Sequence, residues 1–413
     1  MANYTEDDFQ RELNAEKAKI AKALRKEQNE QLKAHVERTQ QETNRNGKRP
    51  IQSTRPSPAS ATPEDSFEFP EDPAQKKAIA VSRTTAPEWY TKLDFNSSAM
   101  KRYFKQNKVE ATQATTALSS LRSNIDLCEQ TTDRMERSKH LETLRDDIHK
   151  AEFLAVDRYI VRRSGLMGDN GFRRIINDTS TFPWDLRADT LQLYNRWWLQ
   201  IFSIDLLRGI IVPKSSKDKR NADRIDPSYP KGIAKVPGQG DLVVGQWWPT
   251  QLCTVRDGAH GSPQAGIYGE KGKGAYSIVL SGGTGYQDED NGDEIWYSGT
   301  DSKNSTPTEN TWRMIESCDK HPKQPVRVIR SWNQPKSNSY RPQRGYRYDG
   351  LYEVVDKQVL NPSKAMYRFL LKRIEGQDPI RYQENAARRP TKYEVKEYDK
   401  LRQQERGLAR DDW

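Results

Sequence analysis

Between residues 265 and 372 the chain keeps returning to one local pattern, a short run of β-branched and aromatic residues closed by Gly, Asn or Asp. Such runs fall at 278–280, 294–297, 326–330, 351–355 and 366–372. Runs this short cannot bury themselves singly, so they must pair with one another, and their turn-rich spacing leaves little room for long helices between them. The expectation for this half is a mixed but strand-dominated barrel within an α+β fold.

The same stretch carries an ordered series of motifs. It begins with Ala265-Gly266-Ile267-Tyr268-Gly269, then Gly274-Ala275-Tyr276-Ser277-Ile278-Val279-Leu280-Ser281-Gly282-Gly283 and an acidic turn, Tyr286-Gln287-Asp288-Glu289-Asp290-Asn291-Gly292. It continues with Ile295-Trp296-Tyr297-Ser298-Gly299, Pro325-Val326-Arg327-Val328-Ile329-Arg330 and Tyr346-Arg347-Tyr348-Asp349-Gly350. In this order the motifs resemble the SRA (SET and RING-associated) or YDG domain, over residues 235–375. The resemblance implies an SRA-like, PUA-like barrel with flanking helices. It also implies a nuclear DNA-binding protein that recognises 5-methylcytosine, or a related modified cytosine, by flipping the base into a pocket. The implied partner is double-stranded DNA with modified cytosine, with histones or chromatin-modifying proteins as further candidates. No catalysis, no cofactor and no metal are expected.

Reading an extruded base requires aromatic faces to replace lost stacking, a carboxylate to accept from the cytosine amino group, and close backbone approach. Ser281, Gly282 and Gly283 supply the last, Tyr286 and Tyr297 the rings, and Asp288 the carboxylate. Asp288 is chosen by counting back from Gly292 in the family's turn, where counting forward from the tyrosine would select Glu289. The chain departs from the family by inserting Thr284-Gly285 before Tyr286. Ser298 takes the position of the family's threonine beside the base. The resemblance further places Gln264 as the residue that fills the vacated base position, with His260 and Gly266 nearby. Lys303 is the one cation in a shortened loop, so strong preference for hemimethylated sites is not expected. Lys336, Arg341 and Arg344 are the candidates for phosphate contacts, because strand alternation puts Arg327 and Arg330 on opposite faces.

Other residues have plainer readings. Tyr276 and Tyr348 are expected in the barrel core, and Glu289, Asp290 and Asp293 in a solvated loop. Tyr348-Asp349-Gly350 reads as architecture, a turn whose carboxylate holds neighbouring backbone amides.

Outside this region the chain is polar, with 34% hydrophobic and 31% charged residues, and its 68 Lys+Arg against 58 Asp+Glu leave a formal charge of +10. That excess favours a polyanionic partner through counterion release. The expected organisation is a polar helix or coiled coil over 1–43, a disordered Pro/Ser/Thr-rich linker over 44–87 and a helical region over 88–211. A basic linker over 212–234, the SRA/YDG-like domain over 235–375 and a charged C-terminal tail over 376–413 complete it. The stretch 184–211 reads as one strongly apolar helix docked on the following domain. Three cysteines and five scattered histidines argue against a zinc site, a RING finger or a cysteine-rich SET module. With no apolar run of membrane-spanning length and no leader-like start, an intracellular, reduced, soluble protein is expected. Two other classes fit the same motifs: the specificity module of a modification-dependent endonuclease, or a chromatin scaffold linked to ubiquitin-pathway partners.

Overall fold

Apolar residues at helical spacing decide the first part of the fold. In α3 (Lys108–Gln130) they are Ala114, Leu118, Leu121, Ile125 and Cys128; in α4 (Arg134–Ala151) they are Leu144, Ile148 and Ala151. These stripes face one another, with Asp133 capping α4 by accepting from the Glu136 amide. Four shorter helices pack around them: α1 (Glu88–Thr91), α2 (Ser98–Gln106), α5 (Arg158–Ser164) and α6 (Arg173–Ile176). The core closes on Leu193, Tyr194 and Trp197 of α7 (Trp184–Trp198). The computed structural model describes residues 85–94, 96–212, 223–282, 288–382 and 387–403. The expected helix over 1–43, nearly all of the linker over 44–87 and most of the basic run after residue 212 lie outside them. Residues 84–226 and 231–413 form one compact unit.

The apolar stretch 184–211 is not one helix. Gln200 takes a left-handed φ of 56° and donates its amide to the Trp197 carbonyl, which ends α7. The chain then runs irregularly to β1 (Ile210–Ile211), which pairs with β2 (Arg224–Ile225).

The second half is a mixed sheet in the order β4-β5-β8-β9-β10-β7-β6, with β3 (Trp247–Trp248) added on β9 and a short helix, α8 (Gln251–Arg256), after β3. Its strands are β4 (Ile267–Glu270), β5 (Gly274–Leu280), β6 (Glu289–Asp290), β7 (Glu294–Ser298), β8 (Val326–Ser331), β9 (Tyr346–Asn361) and β10 (Met366–Arg373). The β5–β8 pairing is parallel and the others are antiparallel. Every residue of β8 is buried, as two-sided burial of a central strand demands. Val326 and Val328 point into a core shared with Met314 and Ile315 of α9 (Glu309–Asp319), while Ile329 points into another with Trp248, Tyr346 and Tyr348. The sheet is rolled, because the Tyr297 hydroxyl on β7 donates to the Val279 carbonyl on β5, across three intervening strands.

One expectation is corrected here. Tyr348-Asp349-Gly350 is no turn: it lies inside β9, and Asp349 accepts from the Arg330 and Arg347 guanidinium groups rather than from amides. The segment after residue 376, read from sequence as a charged tail that is helical or frayed, is packed on the rest of the protein over its described residues. Arg381 and Arg389 are fully buried, and α10 (Lys392–Gln403) follows them, its Tyr398 ring packed edge-on against Trp247. Both arginines reach Asp189 of α7, and Arg389 also binds Glu152 and Glu394. Buried charges are stable when each meets an opposite partner.

Candidate modified-base pocket

The acidic turn is held from beneath by a buried arginine. Arg330 donates to both Asp290 oxygens at 2.8 and 2.7 Å, to the Gly292 carbonyl at 2.7 Å and to Asp349 at 3.0 Å. Burial alone would raise the Asp290 carboxyl, but Arg330 and the Asn338 amide outweigh it and hold it below its ordinary value. Asp290 is therefore an anchor, not the solvated residue expected; Glu289 and Asp293 are the exposed members of the turn. Arg347 shares Asp349 with Arg330, so two guanidinium groups and two carboxylates balance within the barrel.

Fixing the turn in this way positions Asp288. Its Oδ1 accepts the Ser298 amide at 2.7 Å, and the Ser298 side chain also hydrogen-bonds the carboxyl. Burial pushes this carboxyl above its ordinary value, with Asp290 adding a like charge, against the lowering effect of Ser298. Asp288 lines a cavity of about 250 Å³ together with Leu280, Gly282, Asp290, Gln334 and Asn338. Gly282 has a φ of +66°, and a Cβ there would stand 2.6 Å from the Gln334 Cα, so only glycine lets the end of β5 lie against the 332–345 loop. A carboxylate with about four lone-pair sites, two of them used by Ser298, can still accept from an amino group entering this cavity.

The other expected residues separate. Ser281 is exposed beside Gly282, whereas Gly283 and Tyr286, with the Thr284-Gly285 insertion, fall outside the described residues. Tyr297 is buried in the barrel core, and its hydroxyl sits where a Cβ on Gly266 would approach to 2.6 Å. Tyr276 and Tyr348 are buried.

Of the residues expected to meet DNA, Gln264, Lys303 and Lys336 are exposed. Arg341 is half-buried and donates to the Trp332 carbonyl; Arg344 lies 3.5 Å from Asp399 of α10. Neither is the free loop cation expected, because the 332–345 loop folds back on the body of the protein. His260 is corrected outright. It is fully buried, bonded at 2.8 Å to Ser277 and at 2.8 Å to the Ala265 carbonyl, so it cannot touch a groove. Burial pushes its imidazole down to about 4, and it acts as a neutral peg under the loop that carries Gln264. Arg327 is also internal, donating to the carbonyls of Ala234, Val236, Gly238 and Ala259.

Sequence reasoning missed the cavity's polar wall. The Gln334 amide donates to the Leu280 carbonyl at 3.3 Å, and Asn338 donates to Asp290 at 2.8 Å and to Gln334. Two amides one helical turn apart, within a loop otherwise read only for its cations, were the available signal.

Residues 235–377 match the family model of the SAD/SRA domain. Among curated proteins, the UHRF1-like protein of Cryptococcus neoformans var. grubii is 32% identical over 174 residues, which is 37% of this chain and 48% of that protein. The E3 ubiquitin-protein ligase UHRF2 of Mus musculus is 33% identical over 168 residues, 33% of this chain and 20% of that protein. The chain thus spans about half the length of the first relative and a fifth of the second. Among solved structures, the SUVH5 SRA domain in complex with methylated CHH DNA is 29% identical with a TM-score of 0.29, covering 35% of this chain and 99% of that one. The modification-dependent TagI restriction endonuclease is 28% identical with a TM-score of 0.30, covering 40% of this chain and 62% of that one.

Proposed function

We propose that this chain, whose residues 235–377 match the SAD/SRA family model, binds duplex DNA and holds a flipped 5-methylcytosine, or a related modified cytosine, in the Asp288 cavity. It acts in this reading as a nuclear chromatin reader, and the domain binds without catalysing. The observation that carries the proposal is Asp288 itself, a carboxylate fixed by Ser298 and lining a cavity at the glycine end of β5. The cytosine 4-amino group would donate to Asp288, and the main chain at Gly282 would approach the ring. Tyr297, tied to the strand end that leads into the cavity, and Tyr286 are the proposed flanking rings, each stack contributing roughly 1–3 kcal/mol. Gln264 would fill the emptied base position, with Lys303 and Lys336 on phosphates.

The test is titration of unmodified, hemimethylated, fully methylated and hydroxymethylated duplexes at two salt concentrations, with Asp288→Ala in parallel. The parent should prefer a modified duplex, and the variant should lose that preference while keeping salt-sensitive background binding, since phosphate contacts lie elsewhere. Equal preference in both proteins would reject the assignment.

A further inference from the structure

The helical unit carries a cationic face that the base pocket does not use. On α2, Lys101, Arg102 and Lys105 are exposed, and Lys108 continues the face at the start of α3. Two arginines of α5, the half-buried Arg158 and the exposed Arg163, lie next to α2. The two short helices are clasped by aromatic contacts: Tyr103 stacks on Tyr159 with centroids 4.9 Å apart, and the Arg163 guanidinium lies 4.3 Å over the Phe104 ring. Arg158 lies 4.9 Å over the Tyr159 ring and donates to its hydroxyl at 3.0 Å. These contacts orient the guanidinium groups without neutralising them.

Several arginines of the neighbouring helices α4, α6 and α7 are treated differently. Arg145 faces Asp185, Arg173 faces Asp169, Arg174 faces Asp126 and Glu129, and Arg187 faces Asp178. Among the described side chains, no carboxylate pairs with the six cations of the α2/α5 face. Cations left without carboxylate partners so close together raise the local potential and attract a polyanion.

We propose that the α2/α5 face is a second DNA-binding surface, contacting the sugar-phosphate backbone of a duplex without reading sequence. An apolar protein partner fits poorly, because the exposed large hydrophobics of this unit, Leu127 and Met135, sit at the far end of α3 and the start of α4. Single-stranded nucleic acid fits poorly as well. It is held by bases stacking on open rings, whereas Tyr103 and Tyr159 stack on each other. Ionic contact with regularly spaced phosphates needs neither an apolar anchor nor a free ring.

The inference does not depend on the base pocket, and its test is arranged accordingly. The full chain carrying Asp288→Ala is titrated with a short unmodified duplex over a series of salt concentrations, by fluorescence anisotropy. Into that background go Lys101→Gln, Arg102→Gln and Lys105→Gln together, or, as a control with the same charge change, Lys150→Gln, Arg173→Gln and Arg174→Gln. With a slope of about 0.9 per phosphate contact, losing three contacts should flatten the plot of log K against log salt by about 2.7. Binding at about 0.1 M salt should fall at least tenfold, and the control set should change the slope far less. Unchanged slope in the first set, or an equal change in both sets, overturns the proposal, whether or not the face then proves to bind RNA or an acidic protein.

Discussion

Replacing Asp349 by alanine removes the carboxylate that Arg330 and Arg347 share at 3.0 Å and 2.5–2.8 Å, at a point where all three side chains are shielded from solvent. What remains is Asp290 against two guanidinium groups, one buried positive charge in excess. Arg347 keeps the carbonyls of Tyr340, Arg381 and Arg389, which satisfy its N–H groups but not its charge. Removing one partner of a buried ion pair costs about 3–5 kcal/mol, mostly the penalty of the stranded charge. A midpoint loss of roughly 6–20 °C follows, at about 2–4 °C per kcal/mol for a domain of this size. Urea and thermal unfolding, followed by circular dichroism and tryptophan fluorescence, measure it. Arg347→Met combined with Asp349→Ala removes both charges of one pair, and should be less destabilised than the sum of the single variants. A single Asp349→Ala variant within about 1 kcal/mol of the parent, or strict additivity in the double, would refute the reasoning.

The His260 imidazole, held down at about 4 against an ordinary 6.5, refuses a proton that the unfolded chain accepts. Stability present above pH 6.5 is therefore lost as pH falls through 4, by about 3 kcal/mol, and urea melts of His260→Gln should show a flatter profile across that window. Asp288 has a carboxyl raised by burial, so modified-base preference, which needs the anion, should decay on acidification at a pH above the usual carboxylate midpoint. Anisotropy titrations that hold their preference down to pH about 4 would contradict this. Gly266→Ala places a Cβ 2.6 Å from the Tyr297 hydroxyl and should lower stability, and Tyr297→Phe in the same chain should recover part of what is lost. Melting curves of the two proteins decide it.

The strand half of the fold was legible because short β-branched runs and glycine turns leave few alternatives, and the runs at 278–280, 294–297, 326–330, 351–355 and 366–372 each fall within a strand. Motif order singled out Asp288 as a candidate, and the structure sets its carboxylate against the Ser298 amide. What stayed hidden depends on partners far away in sequence. Strand context set Arg330 apart from the loop cation Arg341, but nothing local names its partner, Asp290, forty positions earlier. His260 looked like a groove residue because it precedes the loop of Gln264, yet its ring turns inward to Ser277. Gln334 and Asn338 carry no charge and so drew no notice, although they form the cavity's polar wall.

Arg347 donates to the main-chain carbonyls of Arg381 and Arg389, while the side chains of those same residues reach Asp189 of α7. The segment they occupy is thus fastened to the barrel by its backbone and to the helices by its side chains. From Arg347 the contacts continue through Asp349 to Arg330, and from Arg330 to Asp290 and the Gly292 carbonyl, which shape the turn carrying Asp288. Each step is a hydrogen bond between groups sheltered from water, where unpaired polar atoms are costly and geometry is correspondingly strict. The wall of the Asp288 cavity is therefore set by residues on both sides of 235–377. The helices and the C-terminal segment belong to the pocket's physical foundation as much as the strands that line it.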